Sequence, residues 1–121
     1  MELNRYQELA MITCMASCKN EVYAVNGMQA EVGEIADKIA KWVRSGIVRV
    51  DGCRLVWNTS SEEVVAEYRK ALALELGDVL WFVALLATQL DRSLEEVAQM
   101  NIEKLRDRAL RGKIDGDGDN R

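Results

Sequence analysis

The sequence predicts an all-α fold, a four-helix bundle with one small β-hairpin between the second and third helices. Three observations predict it: long stretches with apolar residues three and four apart, one short stretch alternating with period two, and no proline anywhere in 121 residues. Without proline, nothing removes a donor from inside a helical ladder. The composition, 49% hydrophobic and 30% charged, excludes a disordered chain and fits a single domain over residues 1–111.

The first helix is predicted from about Leu3 to Val25, with Leu3, Ala10, Met11, Cys14 and Cys18 as its apolar positions and Asn26-Gly27 as the break after it. A second helix, about Met28 to Ser45, buries Val32, Ile35, Ala36, Ile39, Trp42 and Val43 and ends at Gly46. The period then becomes two. Val48, Val50, Cys53, Leu55 and Trp57 alternate around Asp51-Gly52, a two-residue turn signal, so a hairpin is expected over about 47–57 with Arg49 and Arg54 paired on its other face. Ser60-Ser61-Glu62-Glu63 is a capping-box pattern opening a third helix that runs to about Leu90. Its segment Val79 to Ala87 is apolar all round, which predicts cover by a second subunit, and it is too short to span a bilayer. Ser93-Leu94-Glu95-Glu96 caps a fourth helix reaching about Arg111, and residues 112–121 read as a flexible tail.

The absence of histidine removes imidazole general bases, Ser-His and Cys-His nucleophiles, and histidine metal ligands. A net charge of −4 argues against gripping a nucleic-acid polymer, and an acidic protein that handles phosphates needs a metal to do so. Cys14, Cys18 and Cys53 are odd in number with no secretory signal before them, so they read as reduced thiols in a soluble, cytoplasmic protein with no membrane partner.

Two segments carry the chemistry. Glu31-Val-Gly-Glu34 and Glu75-Leu-Gly-Asp78 repeat acid, apolar, glycine, acid, and a spacing of three puts both acids of each segment on one side of a helix. At 100° per residue, Tyr68, Leu72, Val79, Phe82 and Leu86 fall within about 60° of Glu75, and so does Asp78. Carboxylates in an apolar stripe cost several kcal/mol without a compensating cation, and their own helix offers none. A divalent cation is the simplest compensation. Four carboxylates from two helices form a hard oxygen cage suited to Mg²⁺ or Mn²⁺ and unsuited to zinc, while a di-iron bundle needs the missing histidine. The first motif alone divides evenly between a ligand pair and a solvated face, because Glu34 precedes Lys38 by four residues in the orientation of an ordinary helix ion pair.

On the fourth helix, Asn101, Lys104 and Arg108 share the inner face with Leu94, Val97 and Leu105, which favours phosphate contacts. The blander readings are a backbone hydrogen bond for Asn101, neutralisation of a carboxylate by Lys104, and a snorkelling Arg108. Gln7, among Leu3, Met11 and Cys14, divides equally between a base contact and a buried hydrogen bond. Gly33 and Gly77, opposite the apolar stripes of their helices, read as points of close backbone approach.

Taken together, Glu31-x-x-Glu34, the segment Glu75-Leu-Gly-Asp-Val-Leu-Trp81, Asn101-Ile-Glu-Lys-Leu-Arg-Asp-Arg108, the opening Tyr6-Gln7-x-x-Ala10 and the ending Gly118 to Arg121 resemble the MazG-like, all-α nucleoside triphosphate pyrophosphohydrolases, in particular a small single-domain branch. The resemblance covers most of the chain. It implies a helical bundle that forms a homo-oligomer, dimer or tetramer. It implies Mg²⁺ held by Glu31, Glu34, Glu75 and Asp78, and phosphate contacts from Lys104, with Asn101 and Arg108 beside it. The implied reaction cleaves a nucleoside triphosphate between its α- and β-phosphates to a monophosphate and pyrophosphate, in nucleotide-pool housecleaning. The 40 residues between Glu34 and Glu75, hairpin included, depart from the family's usual compact connection. Within the same superfamily the alternatives are a dUTP- or dCTP-directed enzyme or a phosphoribosyl-ATP pyrophosphohydrolase. Outside enzymes, the alternative is a metal-dependent nucleotide-binding module without turnover.

Overall fold

The computed structural model describes residues 1–112 and consists, over that range, of four α-helices, one 3₁₀ turn and one two-stranded hairpin. The helices are α1 (Leu3–Ile12), α2 (Glu21–Arg44), α3 (Glu62–Gln89) and α4 (Leu94–Leu110), and the strands are β1 (Val48–Asp51) and β2 (Arg54–Trp57). The expected tail lies, from residue 113 onward, outside the described residues.

The break between the first two helices is not at Asn26-Gly27. Helix α1 stops at Ile12, a 3₁₀ turn occupies Ala16–Cys18, and α2 begins at Glu21, with the Asn20 side chain accepting the Tyr23 N–H at 2.7 Å as its N-cap. Gly27 lies inside α2, where a β-carbon would stand 2.1 Å from Cε1 of Phe82. The glycine is there for close approach, a role the sequence suggested for Gly33 and Gly77. Those two have open space where a β-carbon would go.

Helices α2 and α3 form the antiparallel centre of the molecule. Trp42 packs on Tyr68, Lys38 reaches Glu75, and Tyr23 packs on Phe82, so rising numbers on α3 face falling numbers on α2. The hairpin closes one end of the pair. Gly46, at φ 72°, ends α2 as its C′ residue, with its own N–H donating to the Val43 carbonyl and the Ile47 N–H to that of Trp42. Trp57 of β2 then stacks on Tyr68 at 5.3 Å and lies 5.9 Å from Trp42, tying the hairpin to both helices. The strand register pairs Val48 with Trp57, Val50 with Leu55, Arg49 with Val56 and Asp51 with Arg54. The turn therefore sits at Gly52-Cys53, one residue later than expected, with Gly52 at φ 59°. Arg49 meets Asp51 at 3.4 Å and is not opposite Arg54.

Helix α1 lies across the C-terminal half of α3. Ala10, Ala84, Ala87 and Leu94 form one buried cluster, and Cys14, Ala24 and Leu85 a second. The Trp81 indole N–H, shared between the Ala10 carbonyl at 3.1 Å and the Thr13 hydroxyl at 2.8 Å, fixes the end of α1 on α3. This placement already covers part of Val79 to Ala87 within the chain, burying Ala84, Leu85 and Ala87. The large exposed apolar residues of α3 are Val64, Leu74, Leu76 and Leu80. By length and composition α3 could cross a membrane, its most apolar 18 residues having a mean hydropathy of 1.8. In this fold its length is used to pack on α2 and α1.

Helix α3 is capped by Ser61, whose hydroxyl accepts the Val64 N–H, and the expected reciprocal box does not form there because the helix starts one residue late for Ser60 and Glu63. The box does form on α4, between Ser93 and Glu96. The first turn of α4 is held from α1 as well: Glu95 exchanges hydrogen bonds with the Asn4 side chain at 3.0 and 3.2 Å. Beyond that turn, α4 buries only Arg108 and leaves Val97, Met100, Ile102 and Leu105 exposed.

Candidate metal centre

The antiparallel pairing of α2 and α3 brings acids from the two sequence motifs together. Carboxylate oxygens of Glu31, Glu75 and Asp78 all lie within 4.8 Å of one another, with Glu31 and Glu75 half-buried and Asp78 exposed. Two oxygens on opposite sides of an Mg²⁺ are about 4.2 Å apart, so this set is near the size of a coordination shell. Three like charges at such range repel. Burial pushes the Glu31 carboxyl up from its ordinary value, and the charges of Asp78, Glu75 and Glu34 push it further in the same direction. Such a cluster gains most from a small hard cation, and its donors are all oxygen, which fits Mg²⁺ or Mn²⁺.

Glu34 stands apart from the converging oxygens. It is exposed, one turn along α2, and acts on the cluster through its effect on Glu31. It does not hold Lys38 in an ion pair, as its spacing suggested. Lys38 instead crosses to α3, with Nζ 3.2 Å from Oε1 of Glu75. The cation that α3 lacks thus comes from α2, a contact that helix-face counting within one helix does not reveal. A second residue near the cluster, named in the sequence only as part of the opening Tyr6-Gln7-x-x-Ala10, is Tyr6 of α1. Its hydroxyl donates to the Gly77 carbonyl at 3.5 Å, and burial, with the charge of Asp78, raises its ionisation above the ordinary range.

Asn101 and Lys104 are exposed residues of α4 that line a cleft of about 440 Å³ with Leu90, Arg92, Val97 and Met100, and none of the four acids lines it. Arg108 is buried, 5% exposed. Gln7 is fully engaged elsewhere. Its Nε2 donates to the Thr88 hydroxyl and the Arg92 carbonyl, both at 2.9 Å, and its Oε1 accepts the Leu94 N–H at 2.7 Å. Of the two readings of Gln7, this geometry matches the hydrogen-bonding one, at a half-buried rather than a buried position.

The family model of the MazG nucleotide pyrophosphohydrolase domain matches residues 20–111, a span that includes both acidic helices, the hairpin and α4. The chain belongs to the MazG family. It is also 43% identical over 99 residues to the Gene 37 protein of Mycobacterium phage L5, a match covering 82% of this chain and 75% of that protein. No solved structure matches it. The matched span holds both acid pairs, Glu31/Glu34 on α2 and Glu75/Asp78 on α3, and the converging oxygens belong to three of these four residues.

Proposed function

We propose that the protein is an Mg²⁺-dependent nucleoside triphosphate pyrophosphohydrolase, cutting between the α- and β-phosphates to give a nucleoside monophosphate and pyrophosphate. The observation that carries the reading is the convergence of Glu31, Glu75 and Asp78 within 4.8 Å in a chain of the MazG family. These three residues would hold the metal, with Mn²⁺ able to replace Mg²⁺. When bound, it supplies neutralisation of the triphosphate oxygens and a water acidified enough to attack phosphorus.

The chain's own groups do the rest. Glu34, exposed and one turn from Glu31, orients the attacking water and takes its proton, the role that no histidine is present to fill. Lys104 and Asn101 contact phosphate, and Arg108, buried on the same helix, supports them. Because Lys104 and Asn101 line a cleft away from the four acids, the complete site is assembled in a homo-oligomer, dimer or tetramer, in which α4 and the exposed Leu74, Leu76 and Leu80 of α3 find cover. Such an enzyme works in the cytoplasm on the free nucleotide pool.

The test is a panel of canonical and damaged nucleoside triphosphates with Mg²⁺, scored for monophosphate and pyrophosphate. Release of both from at least one member supports the reading. Release of orthophosphate instead, or an intact triphosphate bound with micromolar affinity, replaces it with a different hydrolase or with a nucleotide-binding module.

A further inference from the structure

Among the described residues, Lys38 is the one cation in an ion pair with the carboxylate cluster, and it binds a residue that the proposed metal also needs. It lies on α2 seven residues, two turns, beyond Glu31, and so on the same face of that helix. Its side chain is 33% exposed while that of Glu75 is 17% exposed, so the lysine can swing toward solvent where the glutamate cannot. A lysine and a divalent cation at one carboxylate repel each other strongly at 3–4 Å. They compete for Glu75.

We propose that Lys38 is a built-in counter-ion that holds Glu75 while the metal is absent and turns to the triphosphate once the metal takes Glu75. The proposal rests on the pyrophosphohydrolase reading. Its physical content is a sign reversal. An ammonium beside the cluster opposes a bare divalent cation, yet favours the same cation arriving with a polyphosphate, whose charge exceeds that of the metal. Lysine suits this exchange, being a compact point charge on a flexible stem that needs no fixed fork geometry. The effect would keep the site from trapping bare metal and bias it toward metal with substrate.

The test is Lys38→Met, which keeps the length of the stem and removes its charge, with Lys38→Arg as the charge-retaining partner and Glu75→Gln as the control for the metal site. Calorimetric titrations are run with Mn²⁺ alone and with the Mg²⁺ complex of inorganic tripolyphosphate, which leaves base recognition out of the comparison. The expected result is opposite shifts in Lys38→Met: Mn²⁺ binds about tenfold tighter and Mg²⁺-tripolyphosphate about tenfold weaker, with Lys38→Arg nearer the wild type in both. A lysine that merely ties α2 to α3 would move both affinities in the same direction or neither, and that result overturns the proposal. Wild-type protein that binds Mn²⁺ in a Glu75-dependent way while Lys38→Met shifts nothing defeats the lysine's role alone. Failure of the wild type to bind Mn²⁺ defeats the metal reading and this proposal with it.

Discussion

The ring of Phe82 on α3 fills the place that a β-carbon would occupy at Gly27 on α2, 2.1 Å from where that carbon would be. The ring is itself wedged, 5.6 Å from Tyr23 and 4.9 Å from Trp81 between centroids. This contact sets how closely α2 and α3 approach, and one turn further along α2 that approach brings Glu31 to Asp78. Gly27→Ala should therefore destabilise the fold by about 1–3 kcal/mol, the usual cost of overpacking. Gly33→Ala and Gly77→Ala meet nothing and should raise helix stability by up to about 1 kcal/mol each. Chemical denaturation of the three variants decides it, and a stabilised Gly27→Ala would contradict the packing described.

Gln7 ties α1 to the loop before α4 through three hydrogen bonds, one of them to the Leu94 N–H, an otherwise unpaired donor of the first turn. Gln7→Leu should lose about 1 kcal/mol of stability, because it breaks hydrogen bonds to half-buried polar groups. Thermal melts measure the loss. A variant with full stability and a raised KM would restore Gln7 as a base contact.

Much of this fold was legible in the chain, and the misreadings share a cause. Helix existence followed from periodicity, and the ends of α2 and α4 followed from Gly46 and the Ser93/Glu96 box. The first break was misplaced because Asn26-Gly27 resembles a turn, whereas its glycine serves a contact with α3 55 residues further along the chain. The true signal, Asn20 as a cap before acidic Glu21, was present but weaker. In the candidate site, the two motifs pointed to acids of which Glu31, Glu75 and Asp78 converge in the fold. Single-helix spacing offered Lys38 to Glu34 as one of two even readings, whereas the lysine pairs with Glu75, because an antiparallel partner at short range can offer a better carboxylate than the next turn of the same helix.

The raised ionisation of Glu31 makes a pH prediction. A carboxyl whose folded value lies above its unfolded one stabilises the fold below the unfolded value, and that contribution is lost as pH rises through the folded value. Metal-free wild type should accordingly lose stability relative to Glu31→Gln as pH climbs from about 4 toward neutrality. Adding Mg²⁺ at neutral pH should reverse the order, since only the wild type gains from the ion. Melting temperatures in chelator and in Mg²⁺ read both effects, and a pH-independent difference between the two proteins would refute the crowding of charges at Glu31.

Lys104→Ala should lower kcat/KM by about 10- to 100-fold, the range for losing a charge-assisted hydrogen bond to phosphate. Both KM and kcat should suffer, while metal affinity measured by calorimetry stays unchanged. Unaltered kinetics with a lowered melting temperature would make Lys104 a structural counter-ion.

The most direct test of the account is turnover by Glu75→Gln. The substitution removes the charge from one of three converging carboxylates and from the ion-pair partner of Lys38, and leaves a half-buried neutral group of the same shape. With circular dichroism confirming an intact helical fold, the account predicts no detectable Mn²⁺ binding and loss of nearly all pyrophosphate release at saturating Mg²⁺. Wild-type pyrophosphate release from the folded variant under those conditions would contradict it.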